Sequence, residues 1–236
     1  MRLERMGENT MKHRWIVVAA VAAAFTHSAA AAGPIDDMFD RVAGTMNVYT
    51  QPYLRNGQLS GCQLVYSAIQ RDWVYRKGQF LKLEGSVGLM EANGGLGTFV
   101  KIVVMEIEVS NQGKLSFNPS PPDRAYIVAS NFDTNLSGFA ANVPSDTPGG
   151  VFSAYHLNPT ADMLIDAMKE KVLTVSFNMP GGETDIQVAI DLTVEDTNER
   201  GERKRSDKAI GTFSNCIVAL SDQMDAASKK GSRVVQ

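Results

Sequence analysis

Apolar and polar residues alternate with a period of two over long stretches of the chain. The pattern is cleanest where Leu173, Val175, Phe177 and Met179 interleave with Val172, Thr174, Ser176 and Asn178. Pro180, Gly181 and Gly182 interrupt it. The period then resumes with Ile186, Val188, Ile190, Leu192 and Val194 against Asp185, Gln187, Ala189, Asp191, Thr193 and Glu195. Side chains two apart on a strand share a face, so this segment predicts a hairpin with one buried and one wet face. A second hairpin is expected from Leu81, Leu83, Val87 and Leu89, a link through Asn93, Gly94, Gly95 and Gly97, and a strand from Thr98 to Val109.

Further strands are expected at Thr45 to Thr50, Ser60 to Tyr75, Arg124 to Ser130, Val151 to Leu157 and Gly211 to Leu220. The proline-rich stretch Asn118 to Pro122 and the Pro/Gly-rich stretch Asn142 to Gly150 read as loops, because proline cannot donate to a ladder. One helix stands out. Asn158 can cap it, Pro159 suits its first position, and Met163, Leu164, Ala167 and Met168 form an apolar stripe. A short amphipathic turn at Pro34 to Val42 and a frayed tail from about residue 225 complete the reading. The expected fold is all-β and mainly antiparallel: a β-sandwich or distorted barrel of about eight to ten strands with one intervening α-helix. Residues 33–236 read as a single β-rich domain.

The first thirty-two residues break this pattern. Lys12, His13 and Arg14 precede an apolar run from Trp15 to Phe25, and small residues follow from Thr26 to Gly33. This order is that of a cleavable signal peptide, with cleavage expected after Ala32. Met11 is a second candidate start that would leave residues 1–10 untranslated. The apolar run of eleven residues falls short of the roughly 20 that span a bilayer, so no transmembrane segment is expected after cleavage. Loss of residues 1–32 leaves 19 basic and 24 acidic side chains, a net charge of −5. That balance gives no global reason to bind nucleic acid.

Export places Cys62 and Cys216 in an oxidising compartment, where an even pair is read as one disulfide. Cys62 belongs to an early strand and Cys216 to the last one, so the bond is expected to tie the start of the fold to its end. His156 is the one histidine left after cleavage, which leaves a zinc site without the imidazole or thiolate ligands it needs. Ser153 lies three residues before His156, and Glu84-Gly85-Ser86-Val87-Gly88 lacks the first glycine of a nucleophile elbow. Glu106 and Glu108 point to one side of a strand, as on any solvated face, and Asp185, Asp191 and Glu195 are read the same way. The run Asp196-Thr197-Asn198-Glu199-Arg200-Gly201 echoes a calcium loop, but Arg200 and Lys204 occupy ligand positions.

Two weak ligand-binding candidates remain. Trp73 and Tyr75, near a turn at Lys77-Gly78, form an aromatic pair of the kind that can contact a sugar or peptide. Arg203, Lys204 and Arg205, with Arg200 and Lys208, form the densest basic run and are expected at a hairpin tip. No cofactor fingerprint and no metal cluster are found in the sequence. The expectation is therefore an exported, disulfide-stapled β-sandwich, periplasmic or secreted, acting as a non-enzymatic binding module for an envelope protein, a small ligand or a glycan. The alternative is an envelope hydrolase using carboxylates from separate strands.

Overall fold

Long alternating segments can bury one face only by pairing laterally and stacking against a second layer, and the chain does both. In the computed structural model, residues 34–92, 95–110, 112–132 and 139–231 are described. The expected signal peptide lies outside them. Twelve strands and three helices are present among the described residues. The first four strands, β1 (Gly44–Arg55), β2 (Gln58–Asp72), β3 (Gln79–Ala92) and β4 (Gly95–Val109), form an antiparallel meander. It continues through β8 (Gly150–His156) to β7 (Phe139–Pro144), while β5 (Leu115–Pro119) pairs with the C-terminal half of β4. The mainly antiparallel, sandwich-like all-β fold is as expected.

A smaller sheet, in the order β10 (Ile186–Asp191), β9 (Val172–Asn178), β6 (Arg124–Val128), supplies the second layer. Leu64, Tyr66, Leu81, Leu83, Val100 and Ile102 from the large sheet meet Ile127, Leu173, Val175, Phe177, Val188 and Ile190 from the small one in a single buried core. Full burial of each such side chain stabilises the fold by about 1.5–3 kcal/mol. The opposite face of the large sheet is covered at one end by α1 (Pro34–Val42), whose Phe39 and Val42 pack on Ile69, Phe80 and Ile107. The expected turn at this position is thus a full helix.

Side chains complete the edge of β6 that faces the large sheet. Ser153 Oγ of β8 accepts from the Ala125 amide at 3.2 Å and donates to Asn142 Oδ1 at 2.8 Å, and the Tyr155 hydroxyl donates to the Ala125 carbonyl. Ser153 is fully buried because its hydroxyl substitutes for a missing ladder bond. The helix α2 (Leu157–Glu170) buries Thr160, Met163, Leu164 and Ala167, and ends at Lys171 in a left-handed conformation whose N–H donates to Ala167 O. The residue at the cap position is His156, without a side-chain capping bond, rather than the expected Asn158, whose extended backbone (φ −100°, ψ 143°) instead kinks the first turn.

Four further expectations are corrected. Gly211 to Leu220 is not a strand but part of α3 (Lys208–Gly231). Ala209, Phe213 and Leu220 are buried, with Ile210, Cys216, Ile217 and Met224 against the core, a helical period that the run Cys216-Ile217-Val218 disguises. Cys216 therefore sits on a helix rather than in a last strand. The disulfide itself is present, joining β2 to α3 with Cα atoms 5.9 Å apart. The continuous strand expected from Asp185 to Glu195 breaks at Leu192 and Thr193, where Asp191 Oδ1 accepts from the Thr193 amide and turns the chain. Beyond it, β11 (Val194–Thr197) pairs with β12 (Arg203–Arg205) in a separate hairpin. Finally, β5 and β7 occupy parts of the expected loops. Their prolines, Pro119 and Pro144, are the last residues of strands at the sheet margin, where a missing N–H is tolerated.

Candidate functional site

The tip of the β11–β12 hairpin is held by its own backbone and by Asn198. Asn198 Oδ1 accepts from the Arg200 and Glu202 amides, both at 3.0 Å, so it is spent on the turn rather than on a cation. Gly201 has φ +81°, and a Cβ there would sit 2.2 Å from the Arg41 carbonyl oxygen, so only glycine fits. Among the described residues no group of three or more His, Cys, Asp or Glu is arranged to hold a metal.

The basic run does not form one patch. Arg203 is half-buried and turned inward, donating from Nε to Thr45 O at 3.2 Å and from Nη2 to Ala43 O, which fixes the chain leaving α1. Lys204 points to the other side and pairs with Glu195 at 2.6 Å. Arg205 pairs with Asp191. The Lys204 ammonium, then the Ser206 hydroxyl, hold the Glu195 carboxyl below its usual range, and Glu195 raises Lys204 in return.

Lys204 lines a cavity of about 470 Å³ between β1, the hairpin and the first turns of α3. Val48, Ala209 and the half-exposed Tyr49 supply apolar surface. Glu195, Asp196 and Lys208 supply charge, and Thr50 is tied to the Ala209 carbonyl at 2.6 Å. The size falls within the roughly 300–1,000 Å³ typical of small-ligand pockets. These walls are 159 residues apart in the chain at the Thr50 to Ala209 bond, so no local spacing announces them.

The aromatic candidates lie at a different place, in the loop between β2 and β3. Asp72 is fully buried and accepts from the Val74 and Tyr75 amides at 2.9 and 2.8 Å and from Arg76 Nη1 at 3.1 Å. Arg76 continues to Glu106 and, at 2.7 Å, to Ser120. The loop is therefore rigidly anchored. Trp73 folds over Gly78, where a Cβ would lie 2.5 Å from the ring, and remains 71% exposed. Tyr75 turns away to donate to Thr184 O across Gly182. The pair thus divides, one ring free and the other used as a clasp. Phe80 is buried beneath α1, 5.2 Å from Phe39.

His156 is exposed at the start of α2, with no side-chain capping bond. Ser153 lies three residues away on the opposite face of β8, committed to β6. A dyad between them has no geometry. Among the described residues five carboxylates have displaced pKa values, and all five are lowered. Arg71 lowers Asp40, Arg76 lowers Glu106, Lys101 takes Asp146 to about 2, Thr193 lowers Asp191 against its partial burial, and Lys204 lowers Glu195. A general acid for glycoside cleavage needs the opposite displacement.

Thr50 and Thr212, two of the cavity walls, carry no signal in the sequence. Period-two alternation places Ser176 and Asn178 on a wet face, whereas both are buried. No protein-family model matches the chain, and neither the curated proteins nor the solved structures give a significant match.

Proposed function

We propose that this chain is an exported binding module of the cell envelope, periplasmic or secreted, and that its ligand seats in the cavity lined by Lys204. A β-rich fold closed by a Cys62–Cys216 disulfide, in which no described helix is long and apolar enough to cross a membrane, fits that compartment. The observation that carries the binding role is the cavity itself. Apolar walls face the Lys204–Glu195 pair with Asp196 and Lys208 beside it, which suits a small ligand with both an apolar body and a charged or polar end. Lys204 and Glu195 are already balanced against each other, so such a ligand exchanges partners with them rather than neutralising a bare charge.

The test is intact and native mass analysis of the protein taken from the envelope fraction of its own cells. The reading expects a chain beginning at Gly33, no free thiol and a bound small mass. A chain that retains residues 1–32 in the cytosol, or one carrying no ligand after mild isolation, contradicts it.

A further inference from the structure

Helix α1 covers only one end of the outward face of the large sheet, and the rest of that face carries a groove of about 220 Å³. Strand register builds it. Ser86 of β3 lies between Val65 of β2 and Lys101 of β4, while Gln63, two residues before Val65, lies beside Gln51 of β1. Registered partners share a face, and this one is opposite the face on which Leu64, Leu83, Val87 and Val100 enter the core. Ser86 is 6% exposed, and its hydroxyl makes no hydrogen bond to another described residue. It is not one of the side-chain atoms sealed from solvent, because it opens onto the groove. On the far side, Lys101 reaches the loop between β7 and β8, where it donates to Asp146 at 2.8 Å.

A serine more than nine-tenths buried has lost most of its hydration, and here the fold returns no hydrogen bond, so a ligand in the groove that supplies one gains affinity by it. The neighbours narrow the chemistry. Lys101 is paired with Asp146 and Glu84 with Lys82, so both charges on the groove are balanced by adjacent side chains and a charged ligand finds no uncompensated partner. Gln63 donates to Gln51 at a long 3.4 Å, which leaves one amide oxygen to accept and one amide nitrogen to donate. Ser86 can do both. Neutral donors and acceptors interleaved in this way match hydroxyl groups, each of which also donates and accepts. A peptide is matched less well, because β2 and β3 spend their backbone groups on strands at both sides and offer none to this face.

The groove is smaller than the roughly 300–1,000 Å³ of pockets that enclose a small ligand, so it suits one unit of a longer chain. That chain has a path along the edge strand. Tyr49 and Tyr53 flank Gln51 on the same side of β1 and are 50% and 42% exposed. The rise of a strand sets them about 13 Å apart, which leaves room for more than one sugar ring. Exposed tyrosine rings offer apolar faces to the C–H faces of sugars while their hydroxyls stay wet. The geometry points to a binding face for a neutral glycan on the large sheet, in which Ser86, Gln63 and Gln51 hold one sugar unit and Tyr49 and Tyr53 carry its neighbours. The groove shares no lining residue with the cavity at α3, and the inference does not rest on that cavity.

The neutral hexasaccharides of cellulose, starch, mannan and chitin are the probes, titrated against the mature protein while amide resonances are followed. At least one is expected to shift the amides of Gln63, Ser86 and Lys101 saturably, and to bind more tightly than its own monosaccharide. Ser86→Ala and Gln51→Ala are each expected to weaken it by about three- to tenfold. Gln51 is exposed, so its variant serves even if Ser86→Ala does not fold. No saturable shift with any of the four, or unchanged affinity in either folded variant, overturns the assignment. Tighter binding of an anionic oligogalacturonate, a cationic chitosan hexamer or a neutral glycine-serine peptide overturns it too.

Discussion

Two regions of this molecule treat polar groups in opposite ways. At the β11–β12 hairpin and α3, the sequence crowds Arg203, Lys204, Arg205 and Lys208 together, and the fold gives the first three of these basic groups a carbonyl or a carboxylate. On the outward face of the small sheet the residues look ordinary, yet four buried polar atoms, on Arg124, Ser176, Asn178 and Asp185, have no hydrogen-bond partner. Charge density along a chain thus says little about unmet binding capacity. Neutralised charges build structure, whereas a buried polar atom without a hydrogen bond is a place where the fold gives up stability.

Breaking the first region should cost most. Replacing both Cys62 and Cys216 by alanine opens a loop of 154 residues, and chain-entropy reasoning sets the loss at up to about 5 kcal/mol, read from urea unfolding midpoints. Phe213→Ala empties a fully buried position where α3 enters the core, and about 3–5 kcal/mol is expected by the same assay.

Two paired substitutions sharpen the contrast between satisfied and unsatisfied groups. Ser153→Ala removes a hydroxyl that serves both Ala125 and Asn142 and should lose about 1–3 kcal/mol. Ser176→Ala, at an equally buried hydroxyl with no hydrogen-bond partner, should leave stability unchanged or raise it by up to about 1 kcal/mol. Equal losses at the two serines would mean that Ser176 is satisfied in solution. Within the basic run, Arg203→Met should cost about 2 kcal/mol because it removes the charged donor of the Ala43 carbonyl and one of the two donors of the Thr45 carbonyl, the other being the Thr197 hydroxyl, and Arg205→Met, at a half-exposed ion pair, less than about 1 kcal/mol.

The smallest effect is electrostatic. Lys101 holds the Asp146 carboxyl at about 2, below its unfolded value, so the folded state gains stability above the unfolded pKa and loses it as pH falls through about 2. Lys101→Met should be slightly less stable than the parent at neutral pH. The gap should close on acid titration between about pH 4 and 2.

Much of the architecture was legible because period-two alternation survives in β2, β3, β4, β9 and β10, where one face meets the core. The disulfide was legible from the even cysteine count together with the export expected from the first thirty-two residues. The strand expected at 211–220 failed because apolar residues three and four apart were masked by the adjacent Cys216, Ile217 and Val218, of which Val218 is 60% exposed. Alternation also fixes only which way a side chain points, not whether anything covers it. Ser176 and Asn178 do point away from the core, and they are buried all the same. The cavity was illegible for another reason: Tyr49, Glu195, Lys204 and Thr212 meet only after the sheets and α3 have assembled.

The central functional claim is occupancy of that cavity. Native mass spectrometry of the envelope-purified protein, run beside Thr212→Trp, tests it directly, because the indole fills the cavity from the exposed side of α3. A bound small mass is expected in the parent protein, and its loss in a folded Thr212→Trp variant. An empty parent protein, or a mass that persists unchanged in the variant, would contradict it.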